Sequence, residues 1–202
     1  MNGEHSMKKW ILAAFAAATV GTVSQAAEPS DSAFAVEGAG RLDCTAFIAA
    51  REDKSSAEYQ RMIGFVEGYL SAANRYEPNT FDLTPWHNAA AFDIILKSHC
   101  AEHEEDTLVS VVQRMVTGLR PIRIAQFSPM VEVGDERHKT FVYEAILRRS
   151  QAALKSRGLY KGDEDGKFSP EMRDALMAFQ RQSSLTPTGV PDPATLWTLL
   201  NP

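Results

Sequence analysis

Residues 141–200 constrain the fold of this chain most, because three helix-forming segments follow one another there with clear start and stop signals. The first segment ends before Gly158, a residue type that readily adopts the positive φ of a helix terminus. The second and third begin at Ser169-Pro170 and Asp192-Pro193, where a capping side chain precedes a proline at the first helical position. These signals predict a three-helix bundle, with apolar stripes formed by Ile146, Leu147, Leu154, Met172, Leu176, Phe179, Leu196, Trp197, Leu199 and Leu200.

The order of residues in this bundle resembles the small peptidoglycan-binding domain carried by many bacterial wall hydrolases. The shared positions are Gln151, Leu154, Gly158, Leu159, Tyr160, Gly162, Asp165, Gly166, Phe168, Arg173, Ala175, Phe179, Gln180, Leu185, Thr188, Gly189, Asp192, Thr195 and Leu196. Two positions depart from the family pattern, since Ser169 stands where Gly is usual and Met172 where Thr is usual. The resemblance assigns residues 140–202 to such a domain and implies peptidoglycan as a partner.

Five side chains in this segment are candidate contacts for peptidoglycan. The polymer offers sugar faces, amides and free carboxylates with some ammonium groups, so a site for it needs aromatic, acidic and guanidinium groups. The candidates are Tyr160, Asp163, Asp165, Phe168 and Arg173. For Phe168 a place in the core of the bundle is the favoured alternative, and for the others a structural role stays open beside ligand contact.

The start of the chain predicts export. Met7-Lys8-Lys9 precedes an apolar run over residues 10–23, and Ser24 and Ala26 place small side chains at the −3 and −1 positions of a cleavage site. The run is shorter than the ~20 residues that span a bilayer. We therefore expect residues 1–26 to be a signal peptide cleaved after Ala26, a periplasmic mature protein and no stable membrane insertion. An uncleaved anchor helix is the disfavoured alternative.

Two cysteines, Cys44 and Cys100, lie in the first half of the chain. In an exported protein an even pair predicts a disulfide. The alternatives are a catalytic thiol and a metal site that would add His99 and His103. Because His99 and Cys100 are adjacent, they would point to different faces of a helix, which disfavours the metal site.

Residues 41–122, which precede the three-helix bundle, are predicted to form another helical domain. A lead-in of small and polar residues precedes it at 27–40. Its clearest helix covers residues 58–74, and another is expected to start at the Thr84-Pro85 cap and run to Cys100. A last helix covers 107–119, and the acidic residues before it are interpreted as favourable charges at a helix N terminus rather than as a cation site. Residues 123–139 show no helical periodicity and are predicted to be a linker between the two domains. The fold class is thus all-α: a disulfide-clamped four- to five-helix domain followed by a three-helix bundle.

This N-terminal domain resembles the small periplasmic helical proteins grouped with the acid-stress chaperone HdeA, a fold also used by immunity proteins against type VI secreted amidases. The residues that carry the resemblance are Cys44, Gly64, Phe65, Val66, Gly68, Tyr69, Asn74, Asp82, Leu83, Thr84, Pro85, Trp86, Cys100, Leu119, Arg120 and Pro121. Members of that group bind other proteins, so the resemblance implies an unidentified periplasmic protein partner.

Charge and motifs exclude several function classes. The net charge of −5 comes without a polybasic stretch, so nucleic acid is not an expected partner. The sequence has no G-x-S-x-G, H-E-x-x-H, phosphate-loop or C-x-x-C motif, and Glu58 and Glu67 fit a solvated helix face. We expect no catalytic residue, metal or cofactor. The favoured function is a non-catalytic wall-binding protein that presents a helical domain to a hydrolase, toxin or envelope protein. The alternatives are a wall-tethered acid or stress chaperone and, less favoured, a cell-wall hydrolase.

Overall fold

The computed structural model describes residues 34–200, which form one compact unit. The predicted signal peptide, residues 1–26, lies outside the described residues, as do the start of the lead-in and the last two residues. None of the helices within 34–200 combines the length and the apolar character needed to cross a membrane. The elements, in chain order, are α1 (Cys44–Ala50), α2 (Ala57–Tyr76), α3 (Ala89–Cys100), α4 (Leu108–Leu119), β1 (Met130–Gly134), β2 (Lys139–Tyr143), α5 (Glu144–Ser156), α6 (Pro170–Gln182) and α7 (Pro193–Leu200), with 3₁₀ turns at Gly38–Arg41 and Arg120–Ile122.

The first hydrophobic core joins α1 to α4. The apolar side of α2 faces it, since Met62 and Val66 are fully buried there. A disulfide joins Cys44 at the start of α1 to Cys100 at the end of α3, with their Cα atoms 5.0 Å apart. This confirms the predicted disulfide. Cys100 is therefore not available as a thiol or as a metal ligand.

The start of α3 differs from the prediction. The helix begins at Ala89, and Asn88 caps it by accepting the backbone N–H of Ala91 at 3.0 Å. Thr84 does not serve as the cap, because its backbone N–H and its hydroxyl both donate to the carboxylate of Asp82. The segment before α3 is thus non-helical, and this conformation brings Trp86 into the second core.

The mostly helical fold confirms the predicted class, and one antiparallel strand pair is the part that the prediction missed. Strand β1 pairs with β2 in the register Met130↔Tyr143 to Gly134↔Lys139. Val133 and Val142 point into the second core and are buried. Part of the segment interpreted as a linker is therefore a β-hairpin.

The second core lies between α5, α6 and α7, and it also takes side chains from earlier in the chain. Trp86 and Ile124 are 6% and 3% exposed within it. The guanidinium of Arg149 on α5 donates to the carbonyl oxygens of Ile122 and Arg123, and burial lowers its pKa. The three-helix bundle is thus packed and hydrogen-bonded to the segment that follows α4.

We expect the double substitution Cys44→Ser, Cys100→Ser to lower the free energy of unfolding. The disulfide closes a loop of 56 residues, for which the chain-entropy model gives about 4 kcal/mol, with losses of about 2–5 kcal/mol typical for small exported domains. Urea denaturation of both proteins measures the difference. A reductant should destabilise the wild type and leave the double variant unchanged, whereas equal stability of the oxidised wild type and the variant would contradict this account.

Candidate functional site

The loop between α5 and α6 is held from inside by the side chain of Gln151, which is fully buried on α5. Its amide nitrogen donates to the carboxylate of Asp165 and to the carbonyl oxygen of Lys167, both at 3.0 Å. Its amide oxygen accepts the N–H of Gly166 at 2.8 Å. One primary amide therefore satisfies polar groups of three consecutive loop residues.

The loop between α6 and α7 repeats this arrangement around Gln180, also fully buried. The amide nitrogen of Gln180 donates to the Thr188 hydroxyl at 3.1 Å and to the Val190 carbonyl at 3.0 Å, and its oxygen accepts the N–H of Gly189 at 2.8 Å. A further bond from the amide nitrogen reaches the Thr195 hydroxyl at 2.9 Å.

The backbone of the two loops follows the same pattern. Gly166 and Gly189 have φ angles of 78° and 74°, a region that favours glycine. Each glycine stands three residues before a helix cap, since Ser169 accepts the N–H of Met172 and Asp192 accepts the N–H of Thr195. The bundle thus contains two copies of one loop design, each built around a glutamine, a glycine and a capped proline-initiated helix.

Two of the predicted ligand residues support the first loop. Tyr160 is 5% exposed, belongs to the second core and donates its hydroxyl to the Asp163 carbonyl at 3.1 Å. Asp165 accepts the Lys167 N–H at 2.9 Å, and this bond, together with the Gln151 amide, lowers the pKa of the Asp165 carboxyl. Phe168 is half-buried and packs against the second core, in agreement with the favoured prediction that it belongs to the core of the bundle. Ligand contact by these residues stays a prediction.

Arg173 is engaged with the hairpin, and Asp163 is exposed. The Arg173 guanidinium forms an ion pair with Asp135 in the turn between β1 and β2. Asp135 also accepts the backbone N–H groups of His138 and Arg137, which are the main reason why its pKa is lowered. Arg173 thus links α6 to the hairpin. Asp163 is an exposed member of the predicted set, and its side chain forms no hydrogen bond or ion pair within residues 34–200.

A groove that the sequence did not predict lies between α3 and the α6–α7 region. Its volume is about 570 Å³. One wall comes from α3 and the segment before it and is formed by Trp86, Asn88, Ala90, Ala91, Ile94 and Ile95. The facing wall comes from the three-helix bundle and includes Leu185, Thr186, Asp192, Pro193, Ala194 and Trp197. Large apolar side chains remain open to solvent on both walls, since Ile94 is 64% and Trp197 42% exposed.

His87 lies in an aromatic cluster beside this groove. Its ring stacks against those of Trp86 and Phe92, with centroids 5.5 and 6.1 Å away, and the ring of Trp197 is nearly perpendicular to it with its centroid at 5.4 Å. Neither ring nitrogen has a hydrogen-bond partner in the described part of the chain. Burial lowers the pKa of His87 to about 4, and the charge of Asp82 only partly opposes that shift. His87 is therefore neutral at pH 7.

The histidines near the disulfide are engaged in contacts of their own. His99 lies 2.7 Å from the Asp106 carboxylate, which also pairs with Arg114 at 2.9 Å, and the His99 contact is the largest cause of the lowered pKa of Asp106. The ring of His103 is tilted against that of His99, with the two centroids 4.5 Å apart. Within residues 34–200, no cluster of three or more His, Cys, Asp or Glu side chains could hold a metal ion.

The comparisons with known proteins single out the three-helix bundle. Residues 145–199 match the family described as "Putative peptidoglycan binding domain". The resemblance of this segment to a peptidoglycan-binding domain is confirmed. The matched range begins in α5 and ends in α7, so it includes both glutamine-supported loops of the peptidoglycan-binding segment.

The similarity to a curated protein covers only a short part of the chain. A stretch of 53 residues is 45% identical to the carboxy-terminal processing protease CtpB of Bacillus subtilis (strain 168), covering 26% of this chain and 11% of that protein. No solved structure matches the chain significantly. The family match lies outside residues 41–122, and the resemblance of those residues to the HdeA group is not supported by these comparisons.

Replacing Gln180 by methionine should destabilise the chain strongly. The substitution keeps the volume of the side chain but leaves the buried Gly189 N–H and Val190 carbonyl without partners, at about 1–3 kcal/mol for each unsatisfied group. Gln182→Met is the matched control, because Gln182 is exposed on the same helix. Urea denaturation measures both variants, and equal stabilities would show that the amide is not needed to hold the loop.

His87 should make the stability of the chain depend on pH in the acid range. Its pKa of about 4 in the folded chain lies below the usual 6.5, so the unfolded chain takes up the proton first as the pH falls. The stabilising contribution of neutral His87 is complete above about pH 6.5 and is lost as the pH falls towards 4. Unfolding midpoints at pH 7, 5.5 and 4.5 should therefore fall less for His87→Phe than for the wild type.

His138→Gln controls for the loss of an imidazole elsewhere in the chain, since His138 is exposed in the hairpin turn. It should keep the pH profile of the wild type. If the His87→Phe variant showed the same pH dependence of stability as the wild type, His87 would not be the cause of the acid sensitivity.

Proposed function

We propose that the mature chain is an exported, periplasmic, non-catalytic protein that binds peptidoglycan through residues 145–199 and presents a helical domain to a protein partner. The observation that carries this proposal is the family match over α5 to α7. The disulfide between Cys44 and Cys100 supports an extracytoplasmic location, because disulfides persist in oxidising compartments. The lack of catalytic motifs in the sequence supports the non-catalytic part.

The exposed part of the α5–α6 loop is the proposed contact with the stem peptides of the wall. Asp163 and Lys161 are exposed there with opposite charges, suited to the ammonium and carboxylate groups of those peptides. The loop behind them is fixed by Gln151 and Tyr160. A loop that is ordered before binding loses little conformational entropy on binding, which favours affinity. In this proposal Tyr160 and Asp165 position the loop, and Asp163 contacts the ligand.

Exposed apolar side chains support the protein-partner part of the proposal. Phe127 is 77%, Phe141 67% and Met130 52% exposed, all in the segment between α4 and α5. Large exposed apolar patches mark sites of protein–protein interaction. The partner surface therefore includes the outer side of the hairpin in addition to the N-terminal helices.

A second candidate function is an acid-responsive chaperone tethered to the wall, and His87 is the observation that favours it. A neutral imidazole enclosed by Trp86, Phe92 and Trp197 must take up charge in strong acid, which disfavours the closed aromatic cluster. Opening of that cluster would expose apolar surface. A chaperone holds many unfolded proteins at low pH, whereas a dedicated partner gives one saturable complex at neutral pH.

Co-sedimentation with purified cell-wall sacculi tests the proposed function. We expect the chain 27–202 to pellet saturably with sacculi, and Asp163→Lys to weaken this binding several-fold by replacing a carboxylate in the proposed contact with an ammonium group. Glu58→Lys is the matched control, since it makes the same charge change at an exposed site on α2. A wild-type chain that stays in the supernatant at every sacculus concentration would refute wall binding.

A further inference from the structure

We propose that the groove between α3 and α7 is a second wall-binding site, which takes the glycan strand of peptidoglycan by its N-acetylated sugars. The inference rests on the proposed function and goes beyond it, because one wall of the groove lies outside residues 145–199. The glycan site would thus exist only where the N-terminal helices meet the peptidoglycan-binding segment.

The aromatic and aliphatic lining fits the faces of acetylated sugars. Trp197 is partly open on one wall, and the C–H bonds on one face of a pyranose ring are complementary to the negative face of an indole. Ala90 and Ala91 on the opposite wall leave room between the helices and offer methyl groups to the acetamido methyl group of the ligand. The volume of about 570 Å³ lies within the range of sites for small molecules, about 300–1,000 Å³.

Two helix caps supply the polar groups that an acetamido sugar needs. Asn88 caps α3 through its side-chain oxygen, which leaves its NH₂ group as a donor on the α3 wall. Asp192 caps α7 through Oδ1, which leaves Oδ2 as an acceptor on the facing wall. A donor and an acceptor thus stand on opposite walls, each held by its own cap, and they are complementary to the carbonyl oxygen and to the N–H or hydroxyl groups of acetylated sugars.

Asn88 distinguishes a sugar from an aliphatic occupant of the groove. Trp86 lines the groove with a ring that is only 6% exposed and has a buried Nε1, so the exposed donor on this wall is the Asn88 NH₂ group. A purely aliphatic occupant supplies no acceptor for that group, whereas the carbonyl and hydroxyl groups of a sugar do. This difference favours a glycan over a lipid chain.

Tryptophan fluorescence tests the proposal directly. Of the three tryptophans Trp10, Trp86 and Trp197, only the last two belong to the chain 27–202, and both line the groove. Titration with soluble, peptide-free oligomers of N-acetylglucosamine should change their emission saturably. Ala90→Phe, which places a bulky side chain in the groove, should weaken binding at least tenfold. Ala89→Phe should bind as the wild type does, because Ala89 is also exposed on α3 but does not line the groove.

The two proposals fail in distinguishable ways. No change of emission with the oligomers, in a chain that still pellets with sacculi, would overturn the glycan site and leave the proposed function standing. A response to an isolated stem peptide or to a hydrophobic dye, without one to the oligomers, would overturn it in favour of another occupant. Loss of both pelleting and oligomer binding would overturn both proposals. Equal binding by the Ala90→Phe and Ala89→Phe variants would place the sugar outside the groove.

Discussion

The side-chain amides of Gln151 and Gln180 hold the two loops of the segment that matches the peptidoglycan-binding family. The loops that follow α5 and α6 have no regular secondary structure, so their buried N–H and C=O groups need other partners. A primary amide provides two donor hydrogens and one acceptor oxygen in a small volume, and both glutamines use all of these functions. Because the amides are fully buried, water cannot replace them, and the loops are ordered before any ligand arrives.

The three helices of the bundle do not stand apart from the rest of the described chain. Trp86 and Ile124 complete their core, and Arg149 binds two carbonyl oxygens of the segment after α4. These contacts bring α3 opposite α7 and so create the groove. A wall-binding module that stood alone would lack that surface. In the proposed glycan site, the N-terminal helices would contribute to the binding surface in addition to the proposed role towards a protein partner.

Capping and helix-terminating residues in the sequence correctly predicted the ends of the helices in the bundle. Ser169-Pro170 and Asp192-Pro193 mark the starts of α6 and α7, and Gly158 has the expected positive φ of 72°. The predicted start of α3 was wrong, because a neighbouring carboxylate two residues before Thr84 competes for its hydroxyl. Asp82 takes the hydroxyl of Thr84, so that the cap of α3 moves to Asn88.

The hairpin and the contacts of the candidate ligand residues could not be predicted from helix signals. Alternating β-branched residues such as Val131 and Val133 are the sequence signal for β1, and helical periodicity does not reveal it. Nothing in the sequence, by contrast, shows that Gln151 binds Asp165 or that Arg173 pairs with Asp135, because these partners are fixed only by the packing of the bundle. The groove was equally hidden, since its walls lie about a hundred residues apart in the chain.

In the proposed function and the further inference taken together, peptidoglycan is recognised by the α5–α6 loop and by the groove. Nuclear magnetic resonance of the ¹⁵N-labelled chain 27–202, titrated with soluble disaccharide–peptide fragments of the wall, tests it most directly. The account predicts the largest shifts of amide signals at residues 161–164, 88–91 and 193–198, with α1 unaffected. Shifts confined to residues outside 145–199, or none at saturating ligand, would contradict it.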